Sequence, residues 1–150
     1  VSMLADDGEI ARISAKIPCT RLDDRLNAAG NNILVNDHGA IVNPDYSKRI
    51  LDQIQDVLGV EAVPSLIGGI NTVGSVCRVT NKGCICHMDA SDEEIALIKD
   101  VLNVDAVRTT VNHGVRAVGA GVIANSKGAV IGDETTPIEM GKVEDGLALY

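Results

Sequence analysis

Two cysteines and a histidine stand within four positions in the stretch NKGCICHMD, residues 81–89: Cys84, Cys86 and His87. Thiolate sulfur and imidazole nitrogen are ligands that zinc accepts, and a thiol beside a base can act as a nucleophile. Either chemistry needs more than these three residues. A structural zinc site takes about four convergent ligands, and no second cluster elsewhere in the chain has a helpful spacing. Cys19 and Cys77 stand apart, and no motif brings a histidine near either of them. Four cysteines in so irregular a pattern are too few for a disulfide scaffold and read as cytosolic thiols. C-I-C is also what a strand looks like when alternate side chains share one face. The choice between site and strand rests on the elements that hold these residues.

Those elements must be built almost without aromatic residues. The chain has 150 residues, no Phe and no Trp, and only Tyr46 and Tyr150 are aromatic. A single domain of this length buries on the order of 70% of its unfolded surface, so the core must come from Val, Ile, Leu and Ala, in strands and the helices that cover them. The net charge of -8 repels phosphate. The aromatic platforms that stack single-stranded bases are missing too. Little direct nucleic-acid binding is therefore expected, although a basic protein partner would be attracted. No apolar run reaches the roughly 20 residues of a membrane-spanning helix. No signal-peptide pattern appears, and a cytoplasmic location without membrane contact is expected.

Comparing the sequence with itself reveals repeats. AAGNNILVNDHGAIVN (28–43), TVGSVCRVTNKGCICH (72–87) and AVGAGVIANSKGAVIG (117–132) align, superposing Gly30, Gly74 and Gly119, and then Gly39, Gly83 and Gly128. A helix follows in each copy. Its apolar trios are Leu51, Ile54 and Leu58; Ile95, Ile98 and Leu102; and Met140, Val143 and Leu147, at the spacing of one helical face. Ser47, Ser91 and Thr136 occupy the N-cap position, and Ser91 with Glu94 and Thr136 with Glu139 read as capping boxes, with Pro137 opening the last helix. Short strands follow at VEAV (60–63) and VDAV (104–107). A partial copy opens the chain, with Asp6 as cap, Glu9 three residues on, and Ile10, Ile13 and Ile17 as its apolar face. The unit is strand, turn, strand, helix, strand. Repeats are expected at 28–71, 72–116 and 117–150, after a partial one at 1–27.

This register settles the first question in favour of the strand. Cys84 and Cys86 fall where the other copies have Ala40 and Val42, and Ala129 and Ile131, so both are expected in the core as small hydrophobes. His87 matches Asn43 and Gly132 at the strand's end. The turns NDHG, TNKG and NSKG end in Gly, as a hairpin needing positive φ would want. None has a phosphate-loop arrangement. The first copy lacks its leading strands and the last lacks its closing strand. This suggests either a permuted closure, with an N-terminal strand completing the final unit, or a fragment; the favoured expectation is a fragment of a longer ring, since repeat units need neighbours to cover their apolar faces.

The runs LNAAGNNILVNDHGAIVNPD, VGSVCRVTNKGCICH, DEEIALIKDVLNVDAVRTTVNHG and GAGVIANSKGAVIGDETTPIE resemble the translation initiation factor 6 family, most closely its archaeal form. The resemblance follows consecutive repeats over nearly the whole chain and is weakest before Arg21. It implies an α/β fold of the pentein type, an α/β propeller of five ββαβ repeats, of which this chain would hold three and part of another. It also implies a non-enzymatic ribosome anti-association factor without cofactor or metal. Such a factor binds the large ribosomal subunit, mainly through ribosomal protein uL14 near the sarcin-ricin loop, and blocks joining of the small subunit. A role in large-subunit biogenesis follows, with release by a GTPase and its partner protein. An acidic chain suits a basic ribosomal protein better than bare RNA.

Corresponding loops of a repeat ring fall on one face. Those entering each unit are RLDDRLNAAGN (21–31), SLIGGINTVGS (65–75) and TVNHGVRAVGA (110–120), rich in Gly and Asn. The resemblance places the residue after each unit's first glycine at the ribosome-facing end: Asn31, Ser75 and Ala120, with Asn32, Val76 and Gly121 beside them. Asn71, Asn112 and Arg116 complete the candidate face. Asn31 can equally cap a turn, Ala29 departs from the family's usual Leu, and Arg116 can be a solvated charge. His38 and His113 read as bystanders, and the acidic run DASDEE (89–94) as a helix start. Two rival functions remain. Pentein-fold guanidine-modifying enzymes use a nucleophilic cysteine with a lowered pKa in an accessible site, whereas a protein-binding repeat scaffold would use the same surface for another partner.

Overall fold

The computed structural model describes residues 1–150 and is a mixed α/β fold with several small sheets and no closed barrel. The chain begins with α1 (Asp7–Ser14), the one-turn helix α2 (Ala29–Asn32), the strands β1 (Ile33–Val35) and β2 (Ala40–Val42), α3 (Lys48–Leu58) and β3 (Ala62–Pro64). The same order recurs in α4 (Val73–Val76), β4 (Cys77–Val79), β5 (Cys84–Cys86), α5 (Asp92–Leu102) and β6 (Ala106–Arg108). It begins again with α6 (Val118–Gly121), β7 (Val122–Asn125), β8 (Gly128–Ile131) and α7 (Pro137–Leu147). The first two strands of each group pair antiparallel, and β3 and β6 join parallel to β2 and β5.

The helices begin where the hydroxyl caps stand. Ser47, Ser91 and Thr136 each accept the amide of the residue three positions on, and Glu94 and Glu139 complete their capping boxes. Asp6 and Glu9 form a third such box on α1. The long helices end in the left-handed region at Gly59, Asn103 and Ala148, a conformation that lets a last amide bond back to the final turn.

Each middle strand is covered on both faces. Ala40 and Val42 pack with Ile50 and Ile54 of α3, while Ile41 packs with Ile98 and Leu102 of α5, in the next unit. The pattern moves on by one unit at β5. There Cys84 and Cys86 face Ile98 and Leu102, and Ile85 faces Val143 and Leu147 of α7. All three residues of C-I-C are fully buried, so the expected single buried face is in fact two. A helix lies between its own sheet and the preceding one, and this is why the chain needs so few large side chains. On the sheet of β7 and β8 the outer face is bare, with Ile123 of β7 76% and Val130 of β8 71% exposed.

Several expectations are corrected. Leu58 and Met140 are 39% and 43% exposed, because the inward stripes run instead through Ile50 and Ile54, and through Val143, Gly146 and Leu147. No residue of α1 is buried, and Ile13 and Ile17 are exposed because no sheet lies against them. The segments entering each unit are not loops throughout. Residues 29–32, 73–76 and 118–121 are one-turn helices. The turn glycines Gly39, Gly83 and Gly128 do not have positive φ. Two of them are needed for room: a Cβ on Gly39 would lie 2.2 Å from the Val101 carbonyl oxygen, and one on Gly83 2.2 Å from that of Gly146.

The tightest approach joins the one-turn helices. A Cβ on Gly74 would meet the Gly30 oxygen at 2.3 Å and the Ile33 oxygen at 2.7 Å, and one on Gly119 would meet those of Gly74 and Cys77 at 2.2 and 2.3 Å. Gly30 has nothing within 4 Å. Backbone cannot swing aside as a side-chain tip can, so Gly74→Ala should destabilise the fold by roughly 2–3 kcal/mol. Gly30→Ala, open and helical, should change stability by no more than about 0.5 kcal/mol. Urea unfolding of the two variants checks the contrast; equal losses would mean that the glycine contact does not set the spacing of the units.

Candidate functional site

Three one-turn helices standing side by side bring together the residues after the first glycines. Asn31 and Ala120 are exposed and Ser75 is half-buried. The Ser75 hydroxyl donates to the Thr72 carbonyl at 2.6 Å, which closes that turn. Arg78 reaches across from β4 and donates to the Gly119 carbonyl, tying the second unit to the third.

Not every candidate is available to a partner. Asn32 is buried: its amide nitrogen donates to the Ala28 carbonyl at 3.1 Å, and its oxygen accepts from Asn43 Nδ2 at 2.7 Å. Val76 is buried in the central core, and Gly121 packs closely on Val111. These three shape the face from beneath. Asn71 donates to Asp45 at 2.9 Å, and Arg116 pairs with Asp89 in the corresponding place one unit later. Both Arg116 and Asp89 remain exposed, so the pair contributes little stability and leaves the guanidinium accessible. The backbone amide of Asn112 donates to Thr135, and its side chain occupies space that a Cβ on Gly132 would fill.

Sequence reasoning identified Glu94 and Glu139 as caps and missed their second bonds. Glu139 is 7% exposed and accepts from the Thr110 hydroxyl at 2.6 Å and from the amides of Gly114 and His113 at 2.9 and 3.2 Å. Thr136 adds its amide and hydroxyl, both at 2.9 Å. The loop it holds is unusual, since Asn112, His113 and Gly114 all have positive φ, at 48°, 58° and 102°. Glu94 repeats the arrangement by accepting the amide of Gly68 at 2.9 Å. The signal available in the sequence was a capping-box Glu downstream of a Gly-containing loop in the same register.

Three of the four thiols are closed to substrate. Cys77, Cys84 and Cys86 have no exposed surface. The Cys84 thiol is pushed up by its contact with Cys77 and by burial, and burial, then Cys77, pushes Cys86 up to about 12. His87 is buried, and its Nδ1 accepts the Asp89 amide at 3.1 Å. No group of three or more His, Cys, Asp or Glu side chains converges in a way that could hold a metal.

A model of the eIF-6 family matches residues 1–146. The chain belongs to the eIF-6 family. It is similar to a protein of Thermoplasma acidophilum named translation initiation factor 6, at 43% identity over 85% of this chain and 59% of that protein. Proteins of the same name from Archaeoglobus fulgidus and Methanococcoides burtonii are 47% and 44% identical, over 93% and 97% of this chain. The chain spans 65% and 67% of their lengths. No helix of the chain is long and apolar enough to cross a membrane.

Two outcomes follow from this geometry. Iodoacetamide at neutral pH should label Cys19 alone in the folded chain; rapid labelling of Cys77, Cys84 or Cys86 would contradict the burial and reopen cysteine chemistry. The Thr110 hydroxyl, then the Thr136 and Gly114 amides, hold Glu139 down from 4.5 to about 2. A carboxylate lowered on folding stabilises the native state above its ordinary range, and that contribution is lost as pH falls toward the lowered value. The unfolding midpoint should therefore drop between pH 5 and pH 2.5, less steeply in Glu139→Gln. Parallel profiles would show that the carboxylate is not selectively stabilised.

Proposed function

We propose that the chain is part of a non-enzymatic anti-association factor acting on the large ribosomal subunit. The carrying observation is a family match over residues 1–146, with Asn31, Ser75 and Ala120 presented side by side on adjacent one-turn helices. In this reading the units belong to a five-unit pentein-type α/β propeller. One end of that ring seats on ribosomal protein uL14 near the sarcin-ricin loop and puts bulk where the small subunit must dock. Asn71, Asn112 and Arg116 border the seat, while Asn32, Val76 and Gly121 support it.

Three features favour this reading. The net charge of -8 suits a basic ribosomal protein. Asn31, Ser75 and Ala120 are small, which lets the face seat closely on another protein. Steric blocking also needs no reactive group, and the buried thiols provide none. The same reading includes a part in large-subunit biogenesis in the cytoplasm, and release by a GTPase with a partner protein.

Co-sedimentation of the chain with isolated archaeal large subunits tests it. The wild-type chain should pellet with the subunits and Asn31→Arg should stay in the supernatant, since a bulky cation in the seat meets a basic partner. A folded wild-type chain that fails to pellet would overturn the assignment for these residues. Recovery of both proteins in the pellet would move the seat to another surface.

A further inference from the structure

The docking face depends on loop backbone that L-residues rarely adopt. Consecutive left-handed residues cost free energy unless their surroundings fix them, and here Asn112, His113 and Gly114 form such a run. Their amides point inward. Those of His113 and Gly114 end on the Glu139 carboxylate, and that of Asn112 on Thr135. Thr110, where the loop begins, donates to the same carboxylate. The side chain that caps α7 therefore gathers the loop at both ends.

We propose that Glu139 is a positioning residue for the docking face, holding residues 110–114 in their binding conformation from beneath. The inference deepens the ribosome reading and rests on it. Glu139 itself is buried, beneath the surface a partner would meet. It acts through Asn112, His113 and the neighbouring Arg116. Glu94 does the same for the preceding loop through Gly68, whose φ is also positive. The first unit has Ile50 in the corresponding helical position. Its entering segment is held instead by Arg49 donating to the Asp23 carbonyl at 3.1 Å and Gln53 donating to that of Arg21 at 2.8 Å. The clamp is thus a device of the second and third units rather than a by-product of capping, for Ser47 caps α3 without a glutamate.

The test combines amide hydrogen exchange with binding to isolated archaeal large subunits, using the whole chain and the variants Glu139→Gln and Thr110→Val. The second variant leaves the helix cap intact and removes one donor, so it reports on the loop even where the first folds poorly. Exchange at His113 and Gly114 should accelerate at least tenfold, with the amides of β4 and β5 unchanged. If one loop in ten then remains competent, the dissociation constant rises roughly tenfold. A merely structural role would instead speed exchange throughout and lower the unfolding midpoint without a local change. Unchanged exchange at His113 and Gly114 overturns the clamp. Faster exchange with undiminished binding overturns its role in docking. Failure of the wild-type chain to bind removes the ribosome reading and the docking role with it, and is distinguished because it appears before any substitution is made.

Discussion

Where Gly74 meets the Gly30 carbonyl, and Gly119 that of Gly74, there is no room for a single carbon atom. These backbone contacts fix how far apart successive units lie, and the rest of the packing follows from that distance. At this separation a helix of one unit reaches the sheet of the unit before it, so α5 covers Ile41 and α7 covers Ile85. Gly39 and Gly83 repeat the constraint at the far end of each hairpin, where the helix carbonyls of Val101 and Gly146 come against them. Glycine is required at both ends of the interface for closeness, not for left-handed backbone.

Tight spacing also explains the composition. A helix shared between two sheets meets apolar surface on two sides, and Val, Ile, Leu, Ala and Cys suffice to fill layers so thin. Cysteine fits the middle strand because it is small and apolar when protonated, and burial there keeps it protonated. One physical fact, the full enclosure of β5, thus accounts both for the C-I-C sequence and for its lack of reactivity. The chemistry suggested by Cys84, Cys86 and His87 is precluded by the element that contains them.

Much of this was legible in the sequence. Caps, capping boxes, the strand identity of C-I-C and the order of elements are local, and local chemistry determines them. Family membership was legible for a related reason, since register across consecutive repeats is specific. What escaped was set by neighbours. The one-turn helices at Ala29–Asn32 and its counterparts are too short for a periodicity to register, and each lies against that of the adjacent unit. The exposure of Leu58 and Met140 could not be read from spacing, which gives a stripe but not the partner that covers it. The second bonds of Glu94 and Glu139 cross 26 and 25 residues to Gly68 and Gly114. A capping box looks complete without them.

The candidate face is repetitive in backbone and individual in side chain. At the end of the middle strand the three copies carry Asn43, His87 and Gly132, and the residues opposite differ to match. Asn43 bonds Asn32. His87 lies against Gly68, where a Cβ would come within 2.6 Å of its Nδ1. Gly132 is vacant so that Asn112 can fill the space. The polar pairs that tie the second and third units to the units before them vary in the same way, from Asp45 with Asn71 to Asp89 with Arg116. A uniformly repeated surface would offer an asymmetric partner several equivalent seats and no fixed orientation. Exchanging bulk between loop and strand end keeps every unit packed while it makes each loop different, so the same substitutions that preserve the fold give each loop a surface of its own.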